Sequence, residues 1–310
     1  MARVSDEARD REQAAPLPPR PLARRAGVPD QADVIGSYRA VGRDSRTTIL
    51  QLLDSAGFAF PGTRVLDFGC GSGKVMRHFL PEAEVCDLWG CDIDQRSVDW
   101  INAELHPPLH AFANGEVPPL GQPSASFHLV WSVSVFTHLT DHWAGWLAEL
   151  HRVLRPAGLA IVSFLGGAMY EEWTGEGWEP DRIGMTVLDH GQDWELGGPT
   201  VFHSPWWLRE HWGRAFEIVQ MREGSAPREH GLVLLCRRPG VDVTPELLER
   251  IDAAREPREP RELAALRKQV LLLQGESSRL RAQRDALSLT DARRLPRRVA
   301  GRLGQIRRGH

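Results

Sequence analysis

Lysine is nearly missing from this chain of 310 residues: arginine supplies the basic charge, and lysine occurs only at positions 74 and 268. A GC-rich genome accounts for that bias, and it assigns no function. Cysteine is scarce as well. Cys70, Cys86, Cys91 and Cys236 form no CxxC pair, and their spacing fits neither a zinc site nor a redox motif. No metal is expected, and the four read as free, buried thiols of a reducing compartment. Residues 1–30 carry charges and prolines but no apolar h-region, so no secretory signal is read there. No window has the length of an apolar membrane-spanning helix. A cytoplasmic protein is expected. The net charge of -3 is too small to imply a nucleic-acid partner for the whole chain.

What is present is an ordinary globular composition, 42% hydrophobic and 25% charged. The length suits one large domain with appendages. Residues 1–35 read as a flexible arm, since the run APLPPRPLARR at 15–25 buries too little apolar surface to order itself. Residues 43–57 have apolar positions at helical spacing and stop at Gly57. Strand candidates follow at 64–68, 88–93, 127–133, 159–164, 216–221 and 231–237. Helical stretches lie between them at 74–80, 95–105, 141–154 and 205–214, with Asp141 the expected cap of the third. This alternation predicts an α/β, doubly wound sheet. The short Gly/Pro segment between the last two strands predicts an antiparallel pair at its end.

After Pro239 the pattern changes. Segments 245–254 and 261–289 are helical by periodicity, and 240–290 reads as a C-terminal helical extension. Leu263, Leu266, Val270, Leu273, Leu280 and Leu287 follow a spacing of about 3.5 residues, broken by Ser277 and Arg284. Either a short coiled coil, joining two copies or a partner protein, or one amphipathic helix lying back on the domain fits. Residues 291–310 are strongly basic, with Leu295, Val299, Leu303 and Ile306 among the arginines. That pattern fits a solvated face or an amphipathic contact with an anionic membrane surface, which would make the protein peripheral.

The chemical signal is VLDFGCGSG at 65–73. Gly69, Gly71 and Gly73 follow a strand and let the backbone approach a ligand and present its N–H groups. Their GxGxG spacing differs from the GxGxxG of dinucleotide folds, and no GxxxxGK[ST] is present. Together with GCDID at 90–94 and LHRVLRPAGLAIVSF at 150–164, the loop resembles the class I S-adenosylmethionine-dependent methyltransferases over roughly residues 36–238. The resemblance implies a Rossmann-like seven-stranded sheet with an antiparallel last strand, filling a domain over 36–239. It implies S-adenosylmethionine as cofactor. It gives the amino-acid end of that cofactor to Asp67, Gly69, Cys70, Gly71 and Gly73, and the ribose hydroxyls to Asp92, with Asp94 as runner-up. Ile93 is implied as a further contact. A carboxylate suits the ribose because it accepts from both vicinal hydroxyls. Asn114, beside Gly115, stands where the family commonly has Asp near the adenine; a loop turn is the other reading. Ser132 and Val133 are expected at the carboxyl end of the fourth strand, beside the cofactor.

Methyl transfer to a hydroxyl needs alignment and removal of a proton. His138 is the candidate base, with His142 and His203 behind it. Segment 166–204 reads as a substrate-side insert, in which Tyr170, Trp173 and His203 are candidate acceptor contacts; the other reading is that its tryptophans anchor a long loop. Tyr38 and Gly42 are placed to close over the cofactor. The expected activity is O-methylation of a sugar or other small-molecule hydroxyl, in cell-surface glycan or secondary-metabolite synthesis. An NAD-dependent oxidoreductase and a non-catalytic scaffold are the alternatives. If the basic tail meets lipid, the full chain sediments with anionic liposomes and a truncation after residue 290 does not; equal sedimentation removes the idea.

Overall fold

In the computed structural model, residues 14–25, 33–180, 183–192, 197–224, 230–251, 270, 272–281 and 284 are described. A seven-stranded sheet organises them. In chain order the strands are β1 (Arg64–Phe68), β2 (Asp87–Asp92), β3 (His110–Ala113), β4 (Phe127–Ser132), β5 (Leu154–Phe164), β8 (Phe216–Arg222) and β9 (Gly231–Arg237). In space they run β3-β2-β1-β4-β5-β9-β8. The first five are mutually parallel, and β9 is inserted antiparallel between β5 and β8. The last strand of the chain is thus the antiparallel one, as expected. Strand order reverses between β1 and β4, which opens a crevice outside their carboxyl ends.

The strands are apolar on both sides because both sides are covered. Along β9, Leu232 and Leu234 enter one core with Val65, Leu129 and Trp131, while Val233 and Leu235 enter the other with Leu66, Val130 and Trp146. One face is closed by α2 (Val34–Ser55) and α3 (Gln95–Glu104). The other is closed by α4 (Trp143–Val153), α6 (Pro205–His211) and α7 (Pro245–Glu249). Trp131 stacks on Phe79 at 4.4 Å between ring centroids.

Several expectations are corrected. The first long helix begins nine residues earlier than its apolar spacing indicated, capped by Asp33, whose carboxylate accepts from the Gly36 amide. The stretch 74–80 is a turn and a single 3₁₀ turn at Met76–Phe79, since every residue from 74 to 80 is buried and Pro81 follows. Asp141 does not cap α4; the helix starts at Trp143, and His142, exposed, holds the cap position. The helix expected at 245–254 ends at Glu249. Not all of the arm is loose. Residues 20–25 form the helix α1 (Arg20–Arg25), and the Arg77 guanidinium donates to the carbonyls of Ala15 and Pro16 at 2.8 Å each. Cys70 and Cys91 are buried free thiols, whereas Cys86 and Cys236 are only partly covered.

Of the proposed coiled-coil seam, Leu263, Leu266 and Leu287 lie outside the described residues, as does the basic tail. Residues 272–281 are helical, and Leu273 and Leu280 are 59% and 57% exposed. No helix among the described residues is long and apolar enough to cross a membrane.

Gly42 generates a prediction. A Cβ there would collide with the Lys74 carbonyl oxygen and crowd the His78 ring. Because the obstacle is backbone, Gly42→Ala is expected to cost about 1–3 kcal/mol in urea unfolding. Gly213→Ala, with open space around it, is the control and should change little.

Candidate functional site

The glycine loop leaves β1 at Phe68 and turns at once. Gly69, Gly71 and Gly73 have φ of 78°, 52° and 85°, a region that disfavours other residues. A side chain at Gly69 would also strike Val135. Asp92, ending β2, fixes the loop. One carboxylate oxygen accepts from the Gly71 amide at 2.7 Å and the other from the Asp94 amide at 2.9 Å. Asp94 is committed elsewhere: 7% exposed, it accepts from the Ser97 hydroxyl at the start of α3 and from the Arg96 guanidinium. Of the two carboxylates it is Asp92 that reaches the glycine loop.

Tyr38 and Gly42 do not close over the loop from outside; they brace it from beneath. Tyr38 is fully buried and its hydroxyl donates to the Ser72 carbonyl at 2.8 Å.

Four buried polar atoms near this crevice have no hydrogen-bond partner: Asp67 Oδ2, Asn114 Oδ1, Ser132 Oγ and Thr137 Oγ1. Other buried atoms, Trp212 Nε1 and Arg237 Nε among them, are unpartnered too, so these four point to a ligand only through their place at the carboxyl ends of the strands. They fit S-adenosylmethionine. Asp67 suits the ammonium and Asn114 Oδ1 the adenine amino group, while Ser132 ends β4, on the side of β1 away from β3. Asn114 Nδ2 meanwhile donates to the Gly115 carbonyl, which orients the amide oxygen. Ile93 is 40% exposed just beyond Asp92, and Val133 is half-buried just beyond Ser132. Burial pushes the Asp67 carboxyl up to about 7, against the downward pull of the Trp131 indole, the Met76 amide and Lys74. Burial likewise pushes Lys74 down to about 8, opposed by Asp67. The Cys70 thiol is driven well above its ordinary range by burial and by Asp92 and Asp67, so it contacts the loop as a neutral group.

The segment expected on the acceptor side docks beside the ends of β4 and β5. Strand β7 (Thr200–His203) pairs with β6 (Met185–Leu188) and docks on the domain through Val201 N to the Thr137 carbonyl and His203 N to the Leu165 carbonyl. His138 joins this seam, its Nδ1 lying 2.7 Å from the Pro199 carbonyl. A carbonyl only accepts, so Nδ1 carries the proton. Burial first, and Lys74 as well, lower the His138 imidazole below its ordinary value, opposed by the Pro199 hydrogen bond, so the ring is neutral. Tyr170 and Trp173 lie on α5 (Gly167–Thr174), edge-on to Phe202, with Trp173 51% exposed. His203 corrects its expected role. It is 1% exposed and packed against Trp207 and Trp212, and burial with the nearby His211 drives it to about 3. It is a neutral core residue. His142 sits on the surface as a helix cap.

Two residues of the crevice went unread in the sequence. His230 stands immediately before β9, and Ser134 follows β4; His230 Nδ1 is 3.2 Å from the Ser134 hydroxyl. Only the antiparallel insertion of β9 brings position 230 to the carboxyl ends of the parallel strands.

Parts of the chain are similar to known proteins. Residues 65–158 match the family described as methyltransferase domain. The chain is 37% identical over 105 residues to 2-methyl-6-phytyl-1,4-hydroquinone methyltransferase of Synechocystis, covering 33% of this chain and 32% of that protein. It is 29% identical over 144 residues to malonyl-[acyl-carrier protein] O-methyltransferase of Serratia marcescens, covering 46% and 54%. The chain spans about a third to a half of the length of these curated relatives. Among solved structures, magnesium protoporphyrin IX methyltransferase of Synechocystis, with bound SAH, aligns over 69% of this chain and 92% of its own at 17% identity and a TM-score of 0.48.

Asp67 yields a pH prediction. Its folded value of about 7 exceeds the ordinary 3.8, so the folded chain holds this proton more tightly than the unfolded one. The stability this contributes is complete below the ordinary value and is lost as pH rises through about 7. Asp67→Asn should therefore flatten the fall in thermal midpoint of the ligand-free protein between about pH 4 and pH 8, while weakening cofactor binding. An unchanged pH dependence would sink this assignment.

Proposed function

We infer that this chain, which carries a class I S-adenosylmethionine-dependent methyltransferase domain, transfers a methyl group to a small-molecule hydroxyl, with a sugar hydroxyl the preferred class. The observation behind the cofactor half is the set of unpartnered buried atoms around an Asp92-anchored glycine loop. Bound there, the cofactor supplies an electrophilic methyl group whose transfer leaves a neutral thioether. Asp67 would bind its ammonium group, Asp92 its ribose and Asn114 its adenine, while the amides of Gly69, Cys70, Gly71 and Gly73 are engaged by the Cys91 and Cys70 carbonyls and by Asp92 and serve to shape the loop.

The acceptor half rests on His138. Its Nδ1 proton is engaged by Pro199, which makes Nε2 the basic nitrogen, and a neutral imidazole is the form that takes a hydroxyl proton. The insert supplies exposed aromatic surface at Trp173, with Tyr170 behind it, as sugar or aromatic acceptors prefer. Two of the relatives are by name methyltransferases of a hydroquinone and of an acyl-carrier-protein ester, so acceptors within this group of proteins vary. A cytoplasmic location, peripheral at a membrane if the basic tail binds lipid, and association of two copies through the C-terminal helix belong to the same proposal.

Calorimetry with S-adenosylmethionine and NAD tests the core of it. The first should bind and the second should not. Asp92→Ala should weaken S-adenosylmethionine binding at least tenfold, about 1.4 kcal/mol. Absence of binding to the wild-type chain would leave the scaffold reading standing.

A further inference from the structure

The pair Ser134 and His230 has no part in the cofactor site, yet it is built with care. Ser134 has φ of 62°, a left-handed conformation uncommon for a residue other than glycine. Such strain persists where the surroundings enforce it, and it clusters at functional sites. Here the Ser163 hydroxyl on β5 holds the Ser134 amide at 2.7 Å. The side chain is thereby aimed at His230, which is brought in by β9. The charged and titratable groups felt by His230 are Lys74, from the glycine loop, and His138, from the β4 loop. Burial first, and then these two, push His230 down to about 4, so its ring is neutral at physiological pH.

The tautomer of His230 is coupled to its partner. Ser134 Oγ and His230 Nδ1 share one hydrogen bond, and which of them donates depends on where the ring proton sits. With the proton on Nε2, Nδ1 accepts from the hydroxyl. His138 is the reverse case, with its proton on Nδ1 against Pro199 and a basic Nε2. In that tautomer of His230 one imidazole donates and the other accepts, both at the carboxyl ends of the sheet. A hydroxyl has one proton to give and two lone pairs. Engaged by such a pair it gives its proton to one ring, takes a hydrogen bond from the other, and keeps one lone pair for bond formation. A carboxylate has no proton to offer, and an ammonium has no lone pair.

We propose that His230, positioned by Ser134, is an acceptor-binding residue that together with His138 selects a neutral hydroxyl as the group to be methylated. This rests on the methyltransferase reading above. In the proton step the acceptor O–H bond breaks, its electrons stay with oxygen as the new C–O bond forms, and the proton passes to His138 Nε2. His230 donates throughout and does not change its protonation. The resulting imidazolium at His138 loses its proton to solvent.

The test uses full-length protein with ¹⁵N-labelled histidine, the two rings assigned with His138→Gln and His230→Gln. At neutral pH, His138 should show the Nδ1–H pattern and His230 the Nε2–H pattern. Addition of S-adenosylhomocysteine should shift both sets of signals. Ser134→Gly removes the hydroxyl while easing the backbone; it should turn the single His230 tautomer into a mixture and leave S-adenosylhomocysteine affinity within about twofold, a small fraction of 1.4 kcal/mol. His230 found as Nδ1–H or as imidazolium, or unmoved in Ser134→Gly, overturns the assignment. So do signals that stay still while calorimetry shows S-adenosylhomocysteine bound. If S-adenosylhomocysteine does not bind at all, the methyltransferase reading falls, and the acceptor site falls with it.

Discussion

Asp92 is the residue on which the site depends. Its two carboxylate oxygens accept from Gly71 and Asp94, so one side chain ties the glycine loop to the end of β2. Charge-assisted hydrogen bonds to backbone amides are among the stronger ones available. Backbone hydrogen bonds reinforce the tether: the Gly69 and Cys70 amides donate to the Cys91 carbonyl, and the Gly73 amide to the Cys70 carbonyl.

The second support comes from below. The helix α2 crosses beneath the loop, with Gly42 against the Lys74 carbonyl and Tyr38 on the Ser72 carbonyl. The Arg77 contacts to Ala15 and Pro16 extend this brace into the N-terminal arm. The result is a pocket floor assembled from segments more than thirty residues apart, above which Asp67 and Lys74 sit buried and mutually attracted. A buried carboxyl near 7 beside a buried amine near 8 is costly in the empty chain and is relieved when a zwitterionic ligand pairs with it.

The two halves of the site differ in how they are made. The residues read for the cofactor stand at strand ends or just beyond them, where local pattern made them legible: Asp67, the three glycines, Asp92, Asn114 and Ser132 lie at the carboxyl ends of four neighbouring strands. The acceptor half is assembled from three chain segments that meet only in space. His138 acquires its tautomer from Pro199, and His230 its partner from Ser134. His203 shows the limit of reading a histidine by position. It precedes a tryptophan-rich helix beside the insert, yet it faces inward and packs between indole rings, where an uncharged state is enforced.

By itself, the sequence determined the sheet, the place of the glycine loop and the carboxylate behind it, because strand periodicity, left-handed glycines and strand-end acids are local requirements that must be written in consecutive residues. Only the tertiary structure decided which helix braces the loop, that Tyr38 lies buried against it, and that His230 meets Ser134 while His203 packs inward. The physical reason is that burial and tautomer depend on what packs against a ring. The antiparallel insertion of β9 settles that for His230, and the tryptophan core under α6 settles it for His203. Neither neighbour is adjacent in sequence.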